Sequence, residues 1–280
     1  MQAIDDVAAR ENAGARLASP DSAQRREQLQ SFAENGYLVF PNVVPKEKLS
    51  ELRAGLVDTF ERTKRSGKLF SGGGVVAGHL NCFPGQESRF VYEALERRGV
   101  LDLMNVISGN PTAALIVGCN LNLPKSVVQH YHIDGVFRDE FMIVNTAVVD
   151  TDLENGAIEV IPGSHRRFYK YWRFALERPY RFSKRIPMRQ GDVLVRTSRL
   201  WHRGMPNRTS FARPMVAMTF GERVVGPRAP DPFQFNDGAI KFYENWYRTG
   251  WRGRLRERTF VAAPFTYGAY RFVASLFDRN

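Results

Sequence analysis

Cysteine is almost absent from this chain. Only Cys82 and Cys119 occur in 280 residues. That number excludes a disulfide framework and any cysteine-rich zinc module, and it fits a reducing, cytoplasmic compartment. Long hydrophobic runs are missing too. The opening stretch MQAIDDVAARENAGARLASPDSAQ has no apolar segment of the kind a secretory signal carries, and residues 1–24 read as a tail or short arm. The most apolar late segment, Phe260 to Phe277, is interrupted by Pro264, Gly268 and Arg271, so it does not read as a membrane span. Acidic residues are in deficit: 29 Asp and Glu stand against 40 Lys and Arg, most of them arginine, for a formal net charge of +11. Such an excess favours an anionic partner, whether nucleic acid, an anionic membrane or a small acidic or phosphorylated substrate. Hydrophobic residues make up 43% of the chain, which allows a substantial core and excludes global disorder.

Local patterns divide the chain. Arg25 to Glu34 reads as a short helix, and Tyr37 to Phe40 as a brief apolar strand. Pro45 opens an amphipathic helix to about Lys64, with Leu49, Leu52, Leu56 and Phe60 on one face. The run SGGGVVAG, Ser71 to Gly78, lacks the Gly-Lys-Ser/Thr that would make it a phosphate loop, and reads as a solvent loop or an active-site lid. From about Ala113 short β-rich runs alternate with turns: ALIVG, SVVQHYHI, FMIVNTAVV, AIEVI, DVLVR and MVAMTF. Short strands separated by turns point to a β-sandwich or barrel. The Pro-rich VVGPRAPDPF suggests a boundary near Arg223, with a catalytic domain over residues 25–223 and a basic, amphipathic extension over residues 224–280.

Histidine is also scarce, with five in the chain. His132-Ile133-Asp134 sets two ligand-type side chains two residues apart, which on a strand places both on one face. His202 follows in LWHRG, beyond a further strand. By itself H-x-D equally describes an ordinary hydrogen-bonded pair at a strand end. Two histidines and one carboxylate on one face of a metal form the facial triad of non-haem Fe(II) oxygenases, which leaves coordination positions open for a chelating co-substrate and O2. Arg213 lies eleven residues beyond His202, across the turn Pro206-Asn207-Arg208-Thr209. It is either a surface arginine or a guanidinium fork returned to the metal to bind the distal carboxylate of 2-oxoglutarate.

The order of these motifs resembles the phytanoyl-CoA dioxygenase family. H-x-D is followed by a strand ending in Asp, then ENGAIEVIPGSH (Glu154 to His165), a GDVL strand (Gly191 to Leu194), WHRG and an arginine. ENGYLVFPNVVP, Glu34 to Pro45, is similar to the family's opening segment, so the resemblance spans about Arg25 to Glu222. It implies a mainly β protein with helical additions, a double-stranded β-helix (a cupin-like jelly roll). It also implies Fe(II) on His132, Asp134 and His202, with 2-oxoglutarate held by Arg213 and an amide from Asn122, or else Asn120, touching that co-substrate. Asn207 shapes the turn after the distal histidine. His165 fixes the PGSH turn and is not a ligand, His130 is a decoy or supporting group, and His79 either approaches substrate or has no role. Related halogenases replace the carboxylate at position 134 with a small residue. Its presence here favours a hydroxylase, in which oxidative decarboxylation of 2-oxoglutarate to succinate and CO2 is coupled to attack on a C–H bond.

Two basic segments bear on the substrate. His165 to Arg189 holds nine Lys or Arg and one acidic residue among aromatics. WYRTGWRGRLRER, Trp246 to Arg258, precedes an apolar run, and together they suit a segment lying on an anionic membrane, at the inner face of the cell. A charged solvated loop and a helix packed on the barrel are the plain alternatives. In tail character and length the chain is similar to the family's bacterial Kdo hydroxylases, which act on the acidic sugar Kdo of lipid A. A soluble anionic metabolite such as an acyl-CoA, a nucleotide or a natural product is the competing reading. Single-stranded nucleic acid ranks lowest, because no recognised module for it occurs. A binding jelly roll that retains a metal without catalysis belongs to a different class, and a complete triad beside Arg213 argues against it.

Overall fold

The computed structural model describes residues 20–67, 77–109, 113–221, 231–242 and 251–277. The glycine-rich run before Ala77 and the segment Trp246 to Gly250 lie outside them, as do residues 1–19. Helix α1 (Pro20–Asn35) begins five residues earlier than the sequence pattern indicates, then β1 (Tyr37–Phe40) and α2 (Lys46–Arg65) follow as expected. Leu49, Leu52, Leu56 and Phe60 are the buried face of α2. The sequence reading left β2 (His79–Phe83), α3 (Arg89–Arg97) and α4 (Val100–Ser108) unassigned. Next come β3 (Ala113–Asn122), β4 (Met142–Ala147), β5 (Glu159–Val160), α5 (Tyr171–Glu177), β6 (Lys184–Arg185), β7 (Val193–Thr197), β8 (His202–Arg203) and β9 (Arg213–Gly221). The chain ends with β10 (Lys241–Phe242), α6 (Trp251–Ala262) and α7 (Pro264–Phe277).

The strands form two facing sheets, a double-stranded β-helix. The large sheet runs β1-β7-β4-β9-β3-β2-β10 and the small one β6-β5-β8. Every ladder is antiparallel, so successive side chains alternate between an outer and an inner face. The outer face is apolar: Val117, Cys119, Val144, Val195, Val216 and Met218 join the faces of α2, α3 and α4 in the main core. The inner face carries the polar residues. Directly paired positions share a face, and His79, Asn122 and Arg213 lie opposite one another in a row across β2, β3 and β9.

Two expectations are corrected. SVVQHYHI is not a ladder strand; it is extended chain whose isolated bridge joins His132 to His202. The extension does not begin where the sheet ends either. Phe233 and Phe242 are buried in the main core, and β10 pairs with β2 at the sheet edge. Apolar anchors at the end of the Pro-rich stretch and beyond it therefore hold the chain against the core and the sheet edge. Among the described residues no helix is long and apolar enough to cross a membrane.

Candidate active site

His132, Asp134 and His202 converge, with one ligand atom from each lying within 4.8 Å of the others. Backbone pairing brings them together. The amides and carbonyls of His132 and His202 exchange two hydrogen bonds of 3.0 Å, and Asp134 N–H donates to the Ser198 carbonyl at 2.9 Å. Each histidine is fixed in one tautomer. His132 Nδ1 lies 2.8 Å from the His130 carbonyl and His202 Nδ1 2.9 Å from the Leu200 carbonyl. A carbonyl only accepts, so each Nδ1 carries the proton and each Nε2 keeps a free lone pair. The Nε2 atoms stand 3.8 and 3.5 Å from the oxygens of Asp134.

Electrostatics favour the charge state a metal needs. Burial pushes the Asp134 carboxyl up, but the Arg196 charge, with smaller contributions from His202 and His132, holds it well below the usual carboxylate range. Burial holds His202 neutral, helped by the same arginine. Asp134 Oδ2 is buried and has no well-aligned hydrogen bond. It meets Arg196 Nη2 as an ion pair at 2.7 Å. Two imidazole nitrogens and a carboxylate oxygen facing one point fit a first-row divalent metal of the Fe(II) type.

The inner row lies on the adjoining strands. Arg213 is buried, donating from Nη2 to the Gly156 carbonyl at 3.0 Å. Burial pushes its guanidinium down to about 10, which leaves it charged at neutral pH. Among the described residues no carboxylate pairs with it, and a buried cation without a counter-ion is a poor structural element but a good anion site. Gly156, at φ 89°, is the close approach that makes this possible: a Cβ there would meet Asn122 Nδ2 and the Met205 carbonyl, each at 2.5 Å. Asn122 spends its amide hydrogen on the Met205 carbonyl, and its Oδ1 has no partner.

The flanking motifs prove to be braces. Asn207 is fully buried, donates to the carbonyls of Asn122 and Phe211 and accepts from Thr209, so it pins the turn between His202 and Arg213. In the PGSH turn Ser164 Oγ accepts from the amide of Trp201, beside His202. His165 packs against Gly36 and Phe32 and does not join the metal-type cluster. His130 stacks on Tyr267 of α7, with ring centroids 3.5 Å apart. His79 is buried with Nε2 on the Val127 carbonyl, and burial first, then the charges of Arg213 and His132, lower it to about 4. It therefore sits near both the triad and Arg213. Sequence reasoning missed Arg196, since an arginine inside the apolar run VLVR gives no signal of its own.

A cleft of about 750 Å3 opens on His132, walled by Phe137, Phe168, Trp201 and the α7 residues Tyr270 and Arg271. Helix α7 is held there by Ser275, whose hydroxyl accepts from the Trp172 amide, and by Arg271 over the ring of Tyr171.

Residues 32–215 match the phytanoyl-CoA dioxygenase (PhyH) family model. The chain belongs to that family. Among curated relatives it is 26% identical to a dioxygenase, ALT11, of Alternaria alternata, with 74% of each chain covered. Its fold is similar to the epimerase SnoN, solved with Fe3+, α-ketoglutarate and a nogalamycin, at TM-score 0.55 and 18% identity, covering 82% of this chain and 97% of that one. It is also similar to HygX of Streptomyces hygroscopicus, solved with nickel, 2-oxoglutarate and hygromycin B, at TM-score 0.53 and 16% identity, covering 71% and 88%.

Proposed function

We propose that this dioxygenase uses iron and 2-oxoglutarate to hydroxylate an unactivated C–H bond of an anionic substrate with a flat or apolar body. His132, Asp134 and His202 hold the iron, Arg213 takes the distal carboxylate of 2-oxoglutarate, and Asn122 lies beside that carboxylate. When bound, iron, 2-oxoglutarate and O2 together supply the oxidant for the C–H bond. The chain's own work is to fix the imidazole tautomers, keep the carboxylate ionised, counter the charge of the 2-oxo acid and align substrate over His132. Arg138, Lys170 and Arg271 line the cleft with aromatics, and among the described residues no acidic side chain does. That lining carries the reading of the substrate. The fold relatives are named for natural-product chemistry, which favours a soluble product of that kind within the anionic class. An acidic glycolipid such as Kdo-bearing lipid A is another member of the class. Incubation of candidate anions with Fe(II), 2-oxoglutarate and O2, followed by mass spectrometry for a one-oxygen gain and by a succinate assay, tests it. Arg271→Ala should raise KM for the accepted substrate roughly tenfold through loss of a charged contact and leave the 2-oxoglutarate requirement unchanged. No turnover with any anion, or unchanged KM, counts against it.

A second reading concerns presentation of the substrate, and one observation favours it. Helix α7 turns a stripe outward, with Phe265 and Phe277 each 78% exposed and Val273 and Leu276 also exposed. Val136 and Phe168 are exposed at the rim of the cleft, and α6 adds exposed Arg252 and Arg258. An apolar stripe beside arginines suits peripheral contact with an anionic bilayer, at the cytoplasmic face. Flotation with anionic vesicles at low and high salt tests this, and dimerisation of the free chain would assign the stripe to a second copy instead.

A further inference from the structure

The buried arginine beside Asp134 has chemistry left over. Arg196 Nη2 makes the ion pair with Asp134 Oδ2, and Nε donates to Asn145 Oδ1 at 3.0 Å. The third nitrogen, Nη1, is buried without a hydrogen-bond partner. An unsatisfied charged donor inside a protein is costly unless a ligand completes it. Strand β7 aims this side chain at the inner face, since Arg196 pairs with Ile143 of β4 and reaches Asn145 two residues along the same face. The group next to it is the carboxylate of the triad.

We propose that Arg196 is the charge-balancing and positioning residue of the iron centre, and that its Nη1 donates to the metal-chelating carboxylate of 2-oxoglutarate. Charge arithmetic gives the role a sign. Before metal binds, Asp134 and Arg196 neutralise each other, which lets both be buried. After a dication binds, the pocket carries two net positive charges from iron, aspartate and arginine together. A guanidinium so close to the metal opposes the cation and favours the dianionic co-substrate. Arg196 therefore weakens iron binding and strengthens 2-oxoglutarate binding. Arg213 engages the far end of the same molecule, so the two arginines on β7 and β9, with β4 between them, hold its two acid groups.

The proposal rests on the assignment of the triad to iron, and the test separates the two. Arg196→Met keeps length and burial but removes the charge. Titrated anaerobically, this variant should bind Fe(II) at least as tightly as the parent. It should bind 2-oxoglutarate roughly tenfold or more weakly, the value of one charge-assisted hydrogen bond. The readout is the absorption band that a chelated 2-oxo acid gives with Fe(II), which needs no turnover. Arg196→Lys should recover part of the 2-oxoglutarate affinity. A brace with no charge role would lower both affinities together, and that outcome overturns the proposal, as does unchanged 2-oxoglutarate affinity. Should Arg196→Met fail to fold, Asn145→Ala decides. It keeps the charge and frees its aim, so 2-oxoglutarate affinity should fall with iron affinity retained; no fall overturns the proposal. Failure of the triad assignment would show differently, as a parent chain that binds no iron at this site.

Discussion

The inner face of the large sheet and the C-terminal helix α7 break the same rule in opposite directions. On the inner face, charged and polar groups that water would normally solvate are buried: Arg196, Arg213 and Asn122, with His202 of the small sheet and Asn207 of the following turn buried as well. On α7, aromatic and aliphatic groups that a core would normally hold are exposed, Phe265 and Phe277 among them. Each violation has a cost, so each marks a place where something besides folding sets the residue. Buried charge without a full set of partners points to small anionic ligands and a metal. Exposed apolar surface beside a cleft points to a large apolar partner. On the proposed reading, the chemistry lies with the sheet and the choice of substrate with the helix.

Breaking the buried side should give the largest effects. His132→Ala, Asp134→Ala and His202→Ala should each abolish turnover and strip Fe(II) binding, since two remaining donors do not hold the metal. His165→Ala should leave the iron in place, because that ring packs on Gly36 outside the triad. Metal content after anaerobic loading reads both results. An iron-free His165→Ala would show that the PGSH histidine has been misassigned.

The next effect sits on Arg213. Arg213→Ala should raise the 2-oxoglutarate requirement about a hundredfold, the worth of a charge-assisted pair at roughly 3 kcal/mol. Arg213→Lys should recover only part, as an ammonium cannot reproduce the fork. A requirement that stays put would remove Arg213 from the co-substrate. Asn207→Ala should act through the fold instead. It strands the buried carbonyl of Asn122 and removes one of the two donors to the Phe211 carbonyl, and the loss of about 2 kcal/mol should lower Tm by several degrees. Calorimetry of the free chain measures it without any substrate.

The difference between the regions also governs what the sequence reveals. The His-Asp-His cluster is legible because H-x-D, PGSH and the distal histidine occur in a fixed order along the chain, and the turn after His202 contains its own explanation in Asn207. The strands of the sandwich are legible where apolar runs meet turns. SVVQHYHI misleads because β-forming side chains do not guarantee a ladder partner; only His132 finds one. Arg196 is invisible because its meaning lies in Asp134, 62 positions away along the chain and 2.7 Å away in space. Helices α3 and α4 escape notice because their apolar faces are short. The Pro-rich stretch hides the return of the chain to the core, because that return rests on isolated buried aromatics, Phe233 and Phe242, and not on an apolar run.

The smallest expected effect is on the exposed side, and it is the sharpest test of the comparison. Phe265 and Phe277 face outward, so Phe265→Ser combined with Phe277→Ser removes little buried contact and should cost less than about 1 kcal/mol of stability. Had they been core residues, the loss would be several-fold larger. If the stripe meets a bilayer, the same double variant should lose vesicle binding, because each aromatic ring carries a large apolar area into the interface. Arg252→Glu with Arg258→Glu should weaken binding to anionic vesicles and leave binding to neutral ones unaltered. The parent's attraction should fade as salt shortens the Debye length to about 3 Å near 1 M. Activity on a small soluble anion should survive all four changes, since none of these side chains lines the cleft. Should the double serine variant keep its vesicle binding but lose a dimer seen in the parent by light scattering, the exposed stripe joins two chains, and the cleft alone selects the substrate.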